Sequence, residues 1–281
     1  MRLIPWVILG AVLLPVMASA QSVDYEKFIA EKAPSIVTVK MVVVTEINGR
    51  EIEREVNATG VVVDKTGLVM FSAEAMNAAN RIRQGFGGRG GRGGGGGGGG
   101  GGEEVDIQSR TENIRVRIPG KEKEHSAALV ATDSELNIAF VQIESLGDIQ
   151  LSAVEFEATS QAKIGDELIG VGRLGQEFDH APFFGTVRVT GSIEQPRKMF
   201  SFDGRFAGRG IPLFSRTGKA VGVLAAPAPP ESEDAPAPRR GGRAGGAGGG
   251  AGAFLIPAST IHTLIGQAKT RAAERSKKPA V

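Results

Sequence analysis

Cysteine is missing from all 281 residues. Its absence excludes a disulfide framework, a thiol nucleophile and any thiolate metal site. Aromatic side chains are scarce, at 5%, with one Trp and one Tyr. A surplus of one charge is also lacking: 33 Lys and Arg face 31 Asp and Glu, for a formal charge of +2, so the chain as a whole is no polyanion binder. Glycine, by contrast, is abundant, but 23 of its 41 residues lie in two tracts, 85–102 and 241–252. Outside them hydrophobic types (41% overall) and charged types (23%) are those of an ordinary globular chain, which argues against wholesale disorder.

The first twenty residues set the expected compartment. Arg2 precedes an apolar run over 4–16 that ends in Ala18-Ser19-Ala20. A charged start, an apolar stretch and a small-residue cleavage site read as a secretory signal peptide over 1–20. As a membrane anchor the run would be short, since a bilayer span needs about twenty residues. The mature chain is expected to begin near Gln21 and to be periplasmic or secreted, with no stable membrane span after cleavage. An exported protein without cysteine points to a bacterial envelope, so Asn57-Ala58-Thr59, which fits a glycosylation acceptor, is discounted.

Residues 23–31 place Tyr25, Phe28 and Ile29 at helical spacing before Pro34, which predicts a short amphipathic helix. Beyond it the period shortens. Runs rich in β-branched residues occupy 35–44, 51–56, 60–63, 68–72, 113–118, 127–131 and 137–143, with turn signals at Asn48-Gly49, Asp64-Lys65-Thr66-Gly67 and Pro119-Gly120. After a break near 145–150 a second set follows at 167–171, 185–189, 191–195, 210–214, 220–225 and 253–256. Thirteen short strands with few helices predict an all-β fold. The break divides them into two groups of six or seven, read as antiparallel barrels over 21–145 and 146–266. From Pro257 onward Ile261, Leu264, Ile265 and Ala268 share one helical face, and 267–281 is expected to fray into a charged tail.

The glycine tracts interrupt this pattern and are expected to be loops, at 84–102 and 226–252, because ordering a glycine backbone costs entropy that no side chain offsets. Gly87-Gly88-Arg89-Gly90-Gly91-Arg92 and Arg239-Arg240-Gly241-Gly242-Arg243 look like segments that contact nucleic acid through charge and stacking, but Phe86 is the only aromatic partner nearby. Weak polyanion contact is therefore the minor reading of these tracts. Gly170-x-Gly172-x-x-Gly175 matches a dinucleotide fingerprint in form only, because neither a following helix nor a βαβ rhythm accompanies it. No metal or cofactor motif stands out: the carboxylates are scattered and no phosphate-cradling Lys motif occurs.

The order of the segments resembles that of trypsin-fold serine peptidases of the HtrA/Deg type. Ala33-Pro34-Ser35-Ile36-Val37-Thr38-Val39 is similar to that family's opening strand. The hairpin from Thr59-Gly60-Val61 through Asp64-Lys65-Thr66-Gly67 to Met70 is similar to the one that leads to its catalytic His. Ala131-Thr132-Asp133 followed by Asn137-Ile138-Ala139-Phe140 resembles the segment bearing its catalytic Asp. Ile164-Gly165-Asp166-Glu167 with Val171-Gly172 resembles the opening of its second barrel, and Ala253-Phe254-Leu255-Ile256-Pro257 its closing F-A-I-P. Residues 208–213, then Gly218-Lys219-Ala220-Val221-Gly222-Val223, fall where its nucleophile loop and following strand belong. The resemblance runs from about 33 to 265. It implies two six-stranded antiparallel β-barrels of the chymotrypsin/trypsin-like kind, with short N- and C-terminal helices. It also implies that loop 226–252 borders the substrate-specificity pocket. The sequence ends about fifteen residues after the closing helix, so the PDZ domain of many relatives is not expected. Oligomer formation stays open.

The same resemblance implies a degenerate catalytic centre. Serine-peptidase catalysis requires a Ser hydroxyl, a His to take its proton and an Asp to hold the imidazole. Phe71-Ser72-Ala73-Glu74-Ala75 puts Glu74 at the His position, Asn137 stands at the Asp position, and alignment on Pro212-Leu213 puts Arg209 at the Ser position. The oxyanion-hole positions are Ala207 and Arg209. An arginine carries donors only and cannot be a nucleophile. Glu74 and Arg209 are expected to form a bidentate salt bridge between the barrels, backed by Asn137, and the three histidines to be surface or edge residues away from the cleft. The reading is a non-catalytic binding or scaffold protein, a pseudopeptidase, whose former cleft takes peptides or unfolded proteins. Two alternatives remain: an active serine endopeptidase with another catalytic set, and a polyanion binder acting through the Arg-Gly loops.

Overall fold

The computed structural model describes residues 23–47, 49–76, 107–204, 206, 208–226 and 253–277. Helix α1 (Tyr25–Lys32) leads into the first barrel, formed by β1 (Ile36–Ile47), β2 (Arg50–Asp64), β3 (Leu68–Ser72), β4 (Ile107–Arg117), β5 (Glu124–Asp133) and β6 (Ile138–Ile143). These six strands close in the order β1-β2-β3-β6-β5-β4, every pair antiparallel. The second barrel comprises β7 (Glu167–Arg173), β8 (Pro182–Ile193), β9 (Met199–Asp203), β10 (Pro212–Phe214), β11 (Ala220–Ala225) and β12 (Phe254–Pro257), closed as β10-β11-β12-β9-β8-β7. Helix α2 (Ala258–Lys277) follows. The two antiparallel barrels expected from strand period and turn spacing are thus present, with six strands each.

Strand alternation fills each barrel from one face. Val37, Val39, Met41 and Val43 of β1 meet Val69, Phe71, Val116 and Val141 inside the first barrel. Leu168, Val187, Val189, Phe202, Leu213 and Leu224 fill the second. A third core lies between them: Ile36, Val61, Met70 and Phe140 from the first barrel pack with Ile169, Phe214 and Val223 from the second and with Ile261 and Ile265 of α2. Strands at this junction are therefore buried on both faces, all five residues of β3 and all six of β11. Continuous apolar runs are what such strands require. Burial here is nearly complete, with Ile36, Phe71 and Leu213 at 0% exposure.

Four expectations from the sequence are corrected. The separate runs 51–56 and 60–63 form one strand, β2, because its exposed first half stays paired with β1 to the Ile47–Arg50 end of a long hairpin. Runs 185–189 and 191–195 likewise form one strand, β8, interrupted only by a bulge between Val189 and Gly191 opposite β9. Strand β9 has no counterpart among the expected runs; two residues, Phe200 and Phe202, alternate into the barrel and suffice to hold it. Residues 269–277 do not fray. Helix α2 continues to Lys277 because its distal half docks on the first barrel: Lys269 Nζ lies 2.5 Å from Asp64 Oδ2, and Arg275 Nη1 donates to the Leu129 carbonyl at 3.1 Å. Residues 1–22, both glycine tracts and the remainder of loop 226–252 after Ala226 fall outside the described residues.

Candidate functional site

Glu74 stands in a single turn of 3-10 helix, Ala73–Ala75, at the end of β3. Since β3 is buried on both faces, this turn emerges from the packed junction of the barrels. The Asn137 carbonyl accepts the Ala73 N–H at 2.7 Å, which ties the turn to the β5–β6 connection. Asn137 itself has a left-handed backbone, φ 54°, a conformation that asparagine tolerates better than most residues. Arg209 lies in the connection between β9 and β10, flanked by Gly208 (φ 120°) and Gly210 (φ 77°). Gly210 is required twice over. Its backbone is left-handed, and a Cβ there would sit 2.9 Å from the Ser72 backbone nitrogen. Its N–H donates to the Leu224 carbonyl at 2.7 Å, which pins the connection to β11.

These constraints bring the carboxylate of Glu74 and the guanidinium of Arg209 together across the junction of the barrels. Arg209 Nη1 contacts both Glu74 oxygens, and the two side chains are 33% and 34% exposed. The expected ion pair between the barrels is present, with Nη1 reaching both carboxylate oxygens, whereas the expected backing by Asn137 is not what its amide does. Its Nδ2 donates to the Ala226 carbonyl at 2.6 Å, so its amide joins the first barrel to the end of β11. Ala207 lies outside the described residues.

The histidines are placed as follows. His125, on β5, is 8% exposed and its Nδ1 lies 3.0 Å from the Ser145 carbonyl, so it is a buried residue of a closed barrel and not the surface or edge one expected. That carbonyl partners one ring nitrogen, while Nε2 is buried without a hydrogen-bond partner. His180 lies in the β7–β8 connection, and His262 Nδ1, on α2, is 2.9 Å from the Phe156 carbonyl. Among the described residues no histidine nitrogen is hydrogen-bonded to a hydroxyl. Ser72, two positions before Glu74, was not singled out in the sequence. Its Oγ is buried without a hydrogen-bond partner, a property that residue type and spacing do not reveal.

The Gly170-x-Gly172-x-x-Gly175 motif has a packing explanation. A Cβ on Gly170 would lie 2.6 Å from the Phe206 ring, and one on Gly172 would lie 2.9 Å from the Phe183 ring. Those rings stack with centroids 5.5 Å apart. The first two glycines make room for aromatic side chains, not for a phosphate. No group of three potential metal ligands occurs among the described residues. No described helix is long and apolar enough to cross a membrane. The Arg-Gly segments at 87–92 and 239–243 lie outside the described residues.

Two closed antiparallel six-stranded barrels, joined through a shared core with turns from both converging at their junction, define the architecture of the trypsin-fold class. The chain belongs to the trypsin-like peptidase family: the family described as "Trypsin-like peptidase domain" matches residues 58–223, more than half of the sequence. None of the curated proteins matches it.

Proposed function

We propose that this protein is an HtrA/Deg-type member of the family that has lost peptide-bond hydrolysis and serves in the bacterial envelope as a binding or scaffold module. The single observation that carries this reading is the ion pair between Glu74 and Arg209 at the barrel junction. The resemblance in segment order puts these residues at the His and Ser positions of a triad, with Asn137 at the Asp position. Glu74 has no hydroxyl to deprotonate, and its carboxylate is already occupied by Arg209. A guanidinium stays protonated and offers only donors. Loss of a whole triad lowers turnover by about 10⁶-fold, and what then remains depends on an oxyanion hole and bound substrate. The pair instead clasps the two barrels where a substrate carbonyl would otherwise be attacked. Peptide or unfolded-protein segments are the partners that such a cleft would take, and the N-terminal segment over 1–20 is the basis for export.

The test pairs a serine-directed fluorophosphonate probe with hydrolysis of unfolded casein. Wild-type protein from residue 21 onward is expected to remain unlabelled and inert. An Arg209→Ser, Glu74→His, Asn137→Asp triple variant is expected to gain labelling at position 209, which supports the assigned register. Stoichiometric labelling of any serine in the wild type overturns the proposal.

A further inference from the structure

A second site lies away from the Glu74–Arg209 pair, where the β4–β5 connection of the first barrel faces the β7–β8 connection of the second. A cavity of about 240 Å³ opens there, lined by Arg117, Lys121, Arg173 and His180, with Glu122 and Asp179 also on its wall. Arg173 is its fixed element. Its Nε donates to the Ile36 carbonyl at 2.8 Å, its Nη2 to the Ala33 carbonyl at 2.8 Å and its Nη1 to the His180 carbonyl at 2.9 Å. Three of the five guanidinium N–H groups are thereby used, leaving two with no acceptor among the described residues. All three acceptors are neutral carbonyls, so the charge itself has no carboxylate counterpart. Burial of the group pushes its pKa down, as expected for a cation drawn out of water without an anion beside it.

The surroundings repeat the pattern. Neither Arg117 nor Lys121 forms a salt bridge among the described residues, and neither do Glu122 and Asp179, which are exposed to solvent. His180 Nε2 is buried without a partner. Asp179 and His180 are consecutive left-handed residues, φ 49° and 52°, a backbone that aims the His180 carbonyl at Arg173. Three unpaired cations and two exposed carboxylates leave the cavity with a positive charge, and solvent screens the carboxylates more than it screens the half-buried Arg173. An arginine locked in place with donors to spare suits an oxyanion, because no side-chain ordering remains to be paid for on binding. The volume is below that of drug-sized sites, which restricts the ligand to a small ion or group.

We infer that this inter-barrel cavity is a binding site for a phosphoryl dianion, held by Arg173 together with Arg117 and Lys121. The inference is independent of whether the protein hydrolyses peptides. The experiment is calorimetric titration of the protein with inorganic phosphate at fixed ionic strength, with chloride as the competing anion and O-phosphoserine in a parallel arm. Saturable one-to-one binding is expected, weakened about tenfold by Arg117→Gln and again by Lys121→Gln, as loss of one charge-assisted contact each predicts. Neither residue takes part in the Arg173 hydrogen bonds, so both substitutions leave them in place. Binding of phosphate alone identifies the free ion as ligand, and binding of both compounds identifies a phosphomonoester-compatible site. Absence of saturable binding in the wild type, or equal affinity in wild type and the double variant, overturns the assignment.

Discussion

Substituting Gly210 by alanine tests whether the junction of the barrels is built on the backbone approach described above. Two costs add. An L-residue at φ 77° is strained by about 1–2 kcal/mol, offset by about 0.4–1 kcal/mol from the smaller entropy of the unfolded chain. The new Cβ would also lie 2.9 Å from the Ser72 nitrogen and 3.4 Å from the Phe71 carbonyl carbon, both main-chain atoms of buried β3 that cannot rotate aside. Relief requires the Arg209 connection to move, stretching the 2.7 Å bond from Gly210 N–H to the Leu224 carbonyl and drawing Arg209 from Glu74. Overpacking of this sort costs about 1–3 kcal/mol. Gly210→Ala should therefore lose about 2–4 kcal/mol in urea unfolding with an unchanged m-value. Gly120→Ala is the internal control: its φ of 70° is nearly the same, but a Cβ there meets nothing within 4 Å. It should lose about 1 kcal/mol or less. If the two variants are equally stable, the close approach to β3 contributes nothing and the argument for a tightly fitted junction fails.

Three further outcomes are expected. Burial raises the Asp64 carboxyl, but hydrogen bonds from Lys269 and Thr66 outweigh it and hold the group down at about 2. A depressed folded value means stability present above the unfolded value, near 3.8, and lost as pH falls toward 2; after allowance for solvent screening the loss is on the order of 1 kcal/mol, and Asp64→Asn should abolish that part of the pH dependence of unfolding. A double-mutant cycle of Glu74→Ala and Arg209→Ala should give a coupling of about 0.5–1.5 kcal/mol in denaturant unfolding, the range between an exposed and a partly desolvated pair, and a coupling near zero removes the clasp from the account. Arg173→Leu should cost about 2–4 kcal/mol, read as a lowered thermal midpoint, because the Ala33, Ile36 and His180 carbonyls each lose a donor, the Ala33 carbonyl keeping only the Ile36 N–H.

Local chemistry along the chain determined a good deal of this fold. Residues at 68–72 and 220–225 coincide with β3 and β11, because apolar β-branched runs bounded by turn residues can satisfy neither helix periodicity nor exposure. Asp24 capping α1 through the Lys27 N–H is a similarly local event. Order of segments was enough to single out Glu74, Asn137 and Arg209 as a group. What those residues do to one another was decided only on folding. Glu74 and Arg209 are 135 positions apart, and their contact depends on how two separately closed barrels share a core, which no short window of sequence contains. Asn137 turned to Ala226 for the same reason: the end of β11 comes within reach of its amide once the barrels pack. The persistence of α2 past Ala268 also required the first barrel, since Asp64 and the Leu129 carbonyl are the partners that hold it. Hydrophobic periodicity is a property of neighbours along the chain, whereas ion pairs, buried carbonyl acceptors and cavities arise between segments brought together by closure of the sheets.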